Sequence, residues 1–175
     1  MSYRRGLLFS IACLASLLGA CRTEPAPKTP ESRAAAPRSD PVSFRYEGVE
    51  KGTLDSGSLR GRPAVIIFIT TYDIASQAQA RFLTMVERRL RSRIGAAAIM
   101  LEPSDNRPLV LAFRDALHLD YPVAWGDDDL SRGHGPFGDV RAVPTTIVLD
   151  AAGRIAWRNV GLVKDTDIEA ALSGL

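Results

Sequence analysis

Residues Ala64 to Ile69 read Ala-Val-Ile-Ile-Phe-Ile with no polar interruption. A β-branched run that does not alternate suits a central strand covered on both faces, so the chain has to supply a layer on each side of a sheet. Directly after it, Ile74, Ala78, Phe82, Val86, Leu90 and Ile94 recur every four residues, while Arg81, Glu87, Arg88, Arg89 and Arg91 fall on other faces. This predicts a long amphipathic helix whose basic end complements the helix dipole.

The remaining pattern completes an α/β domain. Ser43 to Tyr46 reads as a short strand, followed by a turn region with Gly48, Gly52 and Gly57. Ala96 to Leu101 is a second buried strand, and Pro108 to Leu117 a helix with Leu109, Ala112, Phe113, Ala116 and Leu117 on its apolar side. Tyr121 to Trp125 is a short extended piece. A Gly-rich acidic loop, Gly126 to Asp139, leads into Ile147 to Leu149. The turn Asp150 to Gly153 and the segment Ile155 to Arg158 then close an antiparallel hairpin. Asp165 to Leu172 is a last helix, with Asp165 or Thr166 as its cap. The order β, β, α, β, α, β, β, α describes a mixed sheet with helices on both faces.

The net positive charge and both cysteines belong to the first 21 residues. Arg4 and Arg5 precede an uncharged stretch, Leu7 to Ala20, with a small-residue exit at Gly19 and Ala20. That is the layout of a secretory signal over residues 1–20, too short to span a bilayer comfortably. Without those two arginines, 20 basic residues face 20 acidic ones. A nucleic-acid partner therefore has no electrostatic support. The two cysteines are Cys13 and Cys21, so residues 22–175 contain no thiol. This excludes an internal disulfide, a Cys-based zinc site and a thiolate nucleophile in the folded part. Residues 21–42 carry Pro25, Pro27, Pro30, Pro37 and Pro41 among Ser, Thr and Ala, and read as an extended spacer. The folded domain is assigned to residues 43–175.

Other chemistry-bearing residues have plain readings. Asp127, Asp128 and Asp129 lack the alternating oxygen ligands and terminal Glu of an EF-hand, and suit a solvated loop or the caps of a short helix. His118 and His134 do not have the spacing of a zinc or copper pair, so no metal or other cofactor is expected. Trp125, Trp157 and Phe137 are read as packing residues.

Four motifs carry resemblances. Leu18-Gly19-Ala20-Cys21 resembles the bacterial lipobox, which implies a lipid on Cys21 and a membrane tether; Arg22 behind it favours the outer over the inner membrane. Leu59 to Pro63 is similar to the segment that introduces the central strand of the thioredoxin fold in its TlpA-like and redoxin branch. Phe68 to Tyr72 resembles the residues before that family's redox motif. Val140 to Asp150 with Gly153 is close to its cis-proline segment. The resemblance spans residues 43–175 and implies a thioredoxin-like three-layer α/β/α sandwich with a mixed central sheet.

The family's Cys-x-x-Cys falls on Asp73-Ile74-Ala75-Ser76, where both cysteines are absent. The family's chemistry needs a thiolate at the helix N-terminus and a second thiol to resolve the mixed disulfide. Asp73 then has two readings, a helix cap or a general base. Ser76 is a first-turn polar residue or, with no histidine beside it, an unsupported nucleophile. Val143, Pro144 and Thr145 either present an unpaired backbone edge to an extended peptide, opposite Tyr72 and Asp73, or are kept only because the fold is built around that turn. The expectation is a periplasm-facing lipoprotein without redox catalysis that binds an extracytoplasmic protein or peptide. The alternative is an oxidoreductase-related protein that works with thiols supplied by a partner.

Overall fold

The computed structural model describes residues 40–175; the leader, Cys21 and nearly all of the spacer lie outside the described residues. A two-stranded antiparallel hairpin, β1 (Arg45–Glu47) and β2 (Thr53–Asp55), precedes the main sheet. The sheet contains β3 (Ala64–Ile69), β4 (Gly95–Met100), β5 (Val123–Trp125), β6 (Thr145–Leu149) and β7 (Ile155–Val160), in the order β5-β4-β3-β6-β7. β3, β4 and β5 are parallel, and β6 and β7 run antiparallel to their neighbours. The helices are α1 (Ile74–Leu90), α2 (Arg107–Leu117), α3 (Asp128–Ser131) and α4 (Asp165–Leu172).

Every residue of β3 is buried, and its side chains divide by parity between two cores. Val65, Ile67 and Ile69 pack with Leu83 and Val86 of α1, Val110 and Phe113 of α2, and Ile168 and Leu172 of α4. Ile66 and Phe68 face Phe44, Tyr46, Leu54, Leu130 of α3 and Phe137. The fold is thus a thioredoxin-like α/β/α sandwich. Its second outer layer is thin, built from the hairpin, one short helix and the loop after it. Phe137 anchors that layer, its ring 5.0 Å from Phe44 and 5.1 Å from Phe68.

The structure corrects several sequence expectations. α1 ends at Leu90, and its buried side is Ser76, Gln79, Ala80, Leu83, Thr84 and Val86; Ile74 is 83% exposed and Phe82 only half-buried. A strict four-residue repeat overshoots a 3.6-residue turn, so the row from Ile74 winds around the helix and reaches the core only toward its end. In α2 the buried residues are Val110 and Phe113, and Leu109 faces solvent. The first strand starts at Arg45, not Ser43, and β2 pairs with it where only a turn was expected. The extended piece before Gly126 is a full member of the sheet. α4 is preceded by Lys164, and neither Asp165 nor Thr166 is its cap residue.

Candidate functional site

The turn between β3 and α1 places Tyr72 and Asp73 at the carboxyl end of the central strand. Asp73 has extended backbone angles and caps α1, its carboxylate accepting the Ser76 N–H at 2.7 Å. This satisfies one of the unpaired donors of the first turn at the positive end of the dipole. The Ser76 hydroxyl does most to hold the Asp73 carboxyl below its ordinary range; burial opposes it, and the N–H groups of Ser76 and Ala75 add smaller lowering effects. Ser76 has no exposed surface, and its hydroxyl accepts the Thr70 N–H at 3.3 Å. Such an arrangement cannot perform thiol exchange. A carboxylate with a depressed pKa is a weak base near neutral pH, and a fully covered hydroxyl cannot meet an electrophile.

Glu102 completes this corner, and the sequence reading passed over it. It follows β4 and is buried, accepting the Thr71 N–H at 2.7 Å, the Thr71 hydroxyl at 3.0 Å and the Asn106 amide at 2.9 Å. The Gln77 amide adds a bond to the Thr71 carbonyl at 3.2 Å. An acidic residue at the carboxyl end of a buried parallel strand was the available signal, since that edge of an open α/β sheet is where polar sites collect.

The Pro144 loop lies at the same end of the sheet. Phe68 of β3 pairs with Thr145 of β6, so the next steps of the register lead Ile69 and Thr70 toward Pro144 and Val143. The Val143–Pro144 peptide bond is cis. Pro144 is buried and its carbonyl accepts the Gly161 N–H at 2.8 Å, while the Thr145 hydroxyl donates to the Ala142 carbonyl at 2.7 Å. Val143 is half-buried and precedes the strand, and neither its N–H nor its C=O has a backbone partner among the described residues. The Gln79 side-chain oxygen, Oε1, accepts the Val163 N–H at 2.9 Å, fixing the segment after β7 against α1.

Several large apolar side chains in these segments are exposed. Tyr72 is 70% exposed, and Ile74, Val160 and Leu162 are exposed as well. Large apolar side chains held in water at one end of a sheet, next to unpaired backbone, suit an extended segment that adds its own hydrogen bonds. Asp73, Tyr72, Val143, Pro144 and Thr145 are thus brought to one end of the sheet. Ser76 lies beneath that surface and Cys21 lies outside the described residues.

The comparisons agree with this architecture. No protein family and no curated protein matches the chain. Among solved structures, a DsbF homologue from Corynebacterium diphtheriae superposes with a TM-score of 0.67 at 19% identity, covering 77% of this chain and 86% of its own. A thiol:disulfide interchange protein of the thioredoxin family from Chlorobium tepidum gives 0.65 at 23% identity, with 80% and 97% covered. An exposed lipoprotein thioredoxin from Streptococcus pneumoniae gives 0.63 at 16% identity, with 77% and 100% covered. The chain has the thioredoxin fold that these thiol–disulfide proteins share. Among the described residues no helix is long and apolar enough to cross a membrane.

Proposed function

We propose that this thioredoxin-fold domain is a lipid-anchored, periplasm-facing module that has given up thiol chemistry and binds an extended segment of an extracytoplasmic protein at the Pro144 loop. The observation that carries the reading is the unpaired main chain of Val143 at the same end of the sheet as the exposed side chains of Tyr72, Ile74 and Leu162. Asp73 and Ser76 support it, because the residues at the start of α1 are engaged with each other and with Thr70 rather than presented to a substrate. The sequence from Leu18 to Cys21 supports the anchor, and the spacer behind it gives the domain reach from the bilayer. Arg22 behind the anchor favours the outer over the inner membrane.

Photo-crosslinking in cells tests the reading. A photoreactive residue at Tyr72 or Val143 is expected to trap a discrete protein adduct, and one at Met85, exposed in the middle of α1, is not. Ile74→Ser with Leu162→Ser is expected to reduce the adduct about fivefold or more, as loss of apolar anchors does. Cys21→Ser is expected to release the protein from the membrane fraction. Equal adducts at all three positions, or adducts insensitive to the double substitution, would overturn the binding reading.

A further inference from the structure

The segment that leads back to Cys21 joins the folded domain beside the amino ends of the central strands. Val42 donates its N–H to the Gly153 carbonyl at 2.9 Å, in the turn between β6 and β7. A Cβ at Gly153 would meet the Arg60 side chain at 3.5 Å and Pro41 at 3.8 Å. Gly61 donates to the Ala151 carbonyl of the same turn at 2.9 Å. β3 then starts at Ala64, opposite Leu149 of β6 and Gly95 of β4. The Pro144 loop lies at the other end of these strands, about 20 Å away over the six residues of β3.

The end where the chain enters is basic. Arg60 and Arg62 precede β3, and Arg91 and Arg93 lie between α1 and β4, all four exposed. The Arg62 guanidinium donates to the Ser92 carbonyl at 3.3 Å, which ties the two segments together. Among the described residues no salt bridge involves any of these four arginines. Most acidic side chains nearby are already matched: Asp120 by Arg88 at 3.4 Å, Asp165 and Glu169 by Arg89 at 2.5 and 2.6 Å, and Asp150 by Arg154 at 3.7 Å. Glu87, which shares a cleft with Arg62 and Arg91, and the exposed Asp40 offset part of the surplus.

The opposite end carries the reverse sign. Asp73 follows β3, Glu102 and Asp105 follow β4, and Asp127 follows β5; none of them is in a salt bridge among the described residues. A chain whose charges balance after the leader is thereby polarised along its strands. An anionic surface attracts one end and repels the other, and each arginine near such a surface is worth about fivefold in affinity.

We propose that the arginine end docks on the anionic phospholipid surface of the membrane that holds the anchor, so that the Pro144 loop faces away from the bilayer. The orientation rests on the lipid proposed for Cys21, whereas the affinity of the arginine face for anionic lipid does not. The entry point of the chain and the complementary charge select a bilayer as the occupant, because a surface tethered at this end meets these four side chains first.

Every residue of the two cores lies between Val42 and Leu172, so residues 22–175 contain all that the fold needs. Co-sedimentation of that fragment with lipid vesicles tests the face apart from the anchor. Binding to phosphatidylglycerol vesicles is expected at low salt, with release as salt rises, and no binding to phosphatidylcholine vesicles. Arg60→Glu with Arg93→Glu is expected to weaken binding about tenfold or more. Arg81→Glu with Lys164→Glu makes the same change of charge on exposed residues away from this end, and is expected to weaken it about twofold or less. No binding to phosphatidylglycerol, equal binding to both lipids, or equal losses in the two double variants would overturn the proposal. A wild-type chain stripped from cell membranes by high salt would refute the anchor, and with it the orientation, while the vesicle results still decide the face.

Discussion

Replacing Asp73 by alanine separates a structural role at the start of α1 from a catalytic one. The carboxylate makes one short bond, to the Ser76 N–H at 2.7 Å, and the first turn of this 17-residue helix has no other acidic residue. Losing an N-cap side chain costs about 1 kcal/mol. Losing a negative charge at the positive end of the dipole adds about 0.5 kcal/mol for a partly exposed group. Asp73→Ala is therefore expected to lose about 1–1.5 kcal/mol at pH 7, a fall of about 3–6 °C in melting temperature for a domain of this size. Asp73→Asn keeps an acceptor and loses only the charge, so about 0.5 kcal/mol is expected. The pH dependence is the sharper test. The folded-state pKa of Asp73 is lowered, so its stabilisation is complete above the unfolded pKa of about 4 and is lost as pH falls through the lower folded value. Urea denaturation followed by circular dichroism should show a constant gap between wild type and Asp73→Ala near neutral pH, closing toward pH 3. A gap that widens in acid, or a variant as stable as wild type at pH 7, would refute the capping argument.

Two further substitutions probe the same corner. Glu102→Leu leaves the buried Thr71 N–H and hydroxyl without their acceptor and is expected to cost about 2–3 kcal/mol in denaturant titrations; a loss below about 0.5 kcal/mol would show that the carboxylate is not what fixes the turn. With Cys13 and Cys21 changed to serine, Asp73→Cys with Ser76→Cys is expected to form an intramolecular disulfide in air and to reduce insulin, because a helix N-terminus favours the thiolate. If both introduced thiols still titrate as free after oxidation, positions 73 and 76 are not the redox pair of this fold.

How much could be read in advance differs from element to element. β3 was delimited to the residue, because a strand buried on both faces needs an unbroken apolar run and gives no competing period. The residues that α1 buries were misassigned over its first half, since a four-residue count and a 3.6-residue helix agree only over a turn or two. β2 escaped notice because Thr53–Asp55 has no pattern of its own and exists by pairing with β1. The role of Glu102 emerges only when folding brings Thr71 and Asn106 to its oxygens.

Composition and local order alone determine that residues 22–175 have no thiol and that the layers alternate as an α/β sandwich. These depend on covalent identity and on periods of two to four residues, which a linear chain displays openly. Only the tertiary structure decided that the Ser76 hydroxyl is covered, that Val143 has no backbone partner among the described residues at the end of the sheet where Tyr72 and Ile74 are exposed, and that the Tyr46 hydroxyl is buried without a partner. Burial and hydrogen-bond satisfaction are set by residues far away along the chain, and folding alone brings those residues together.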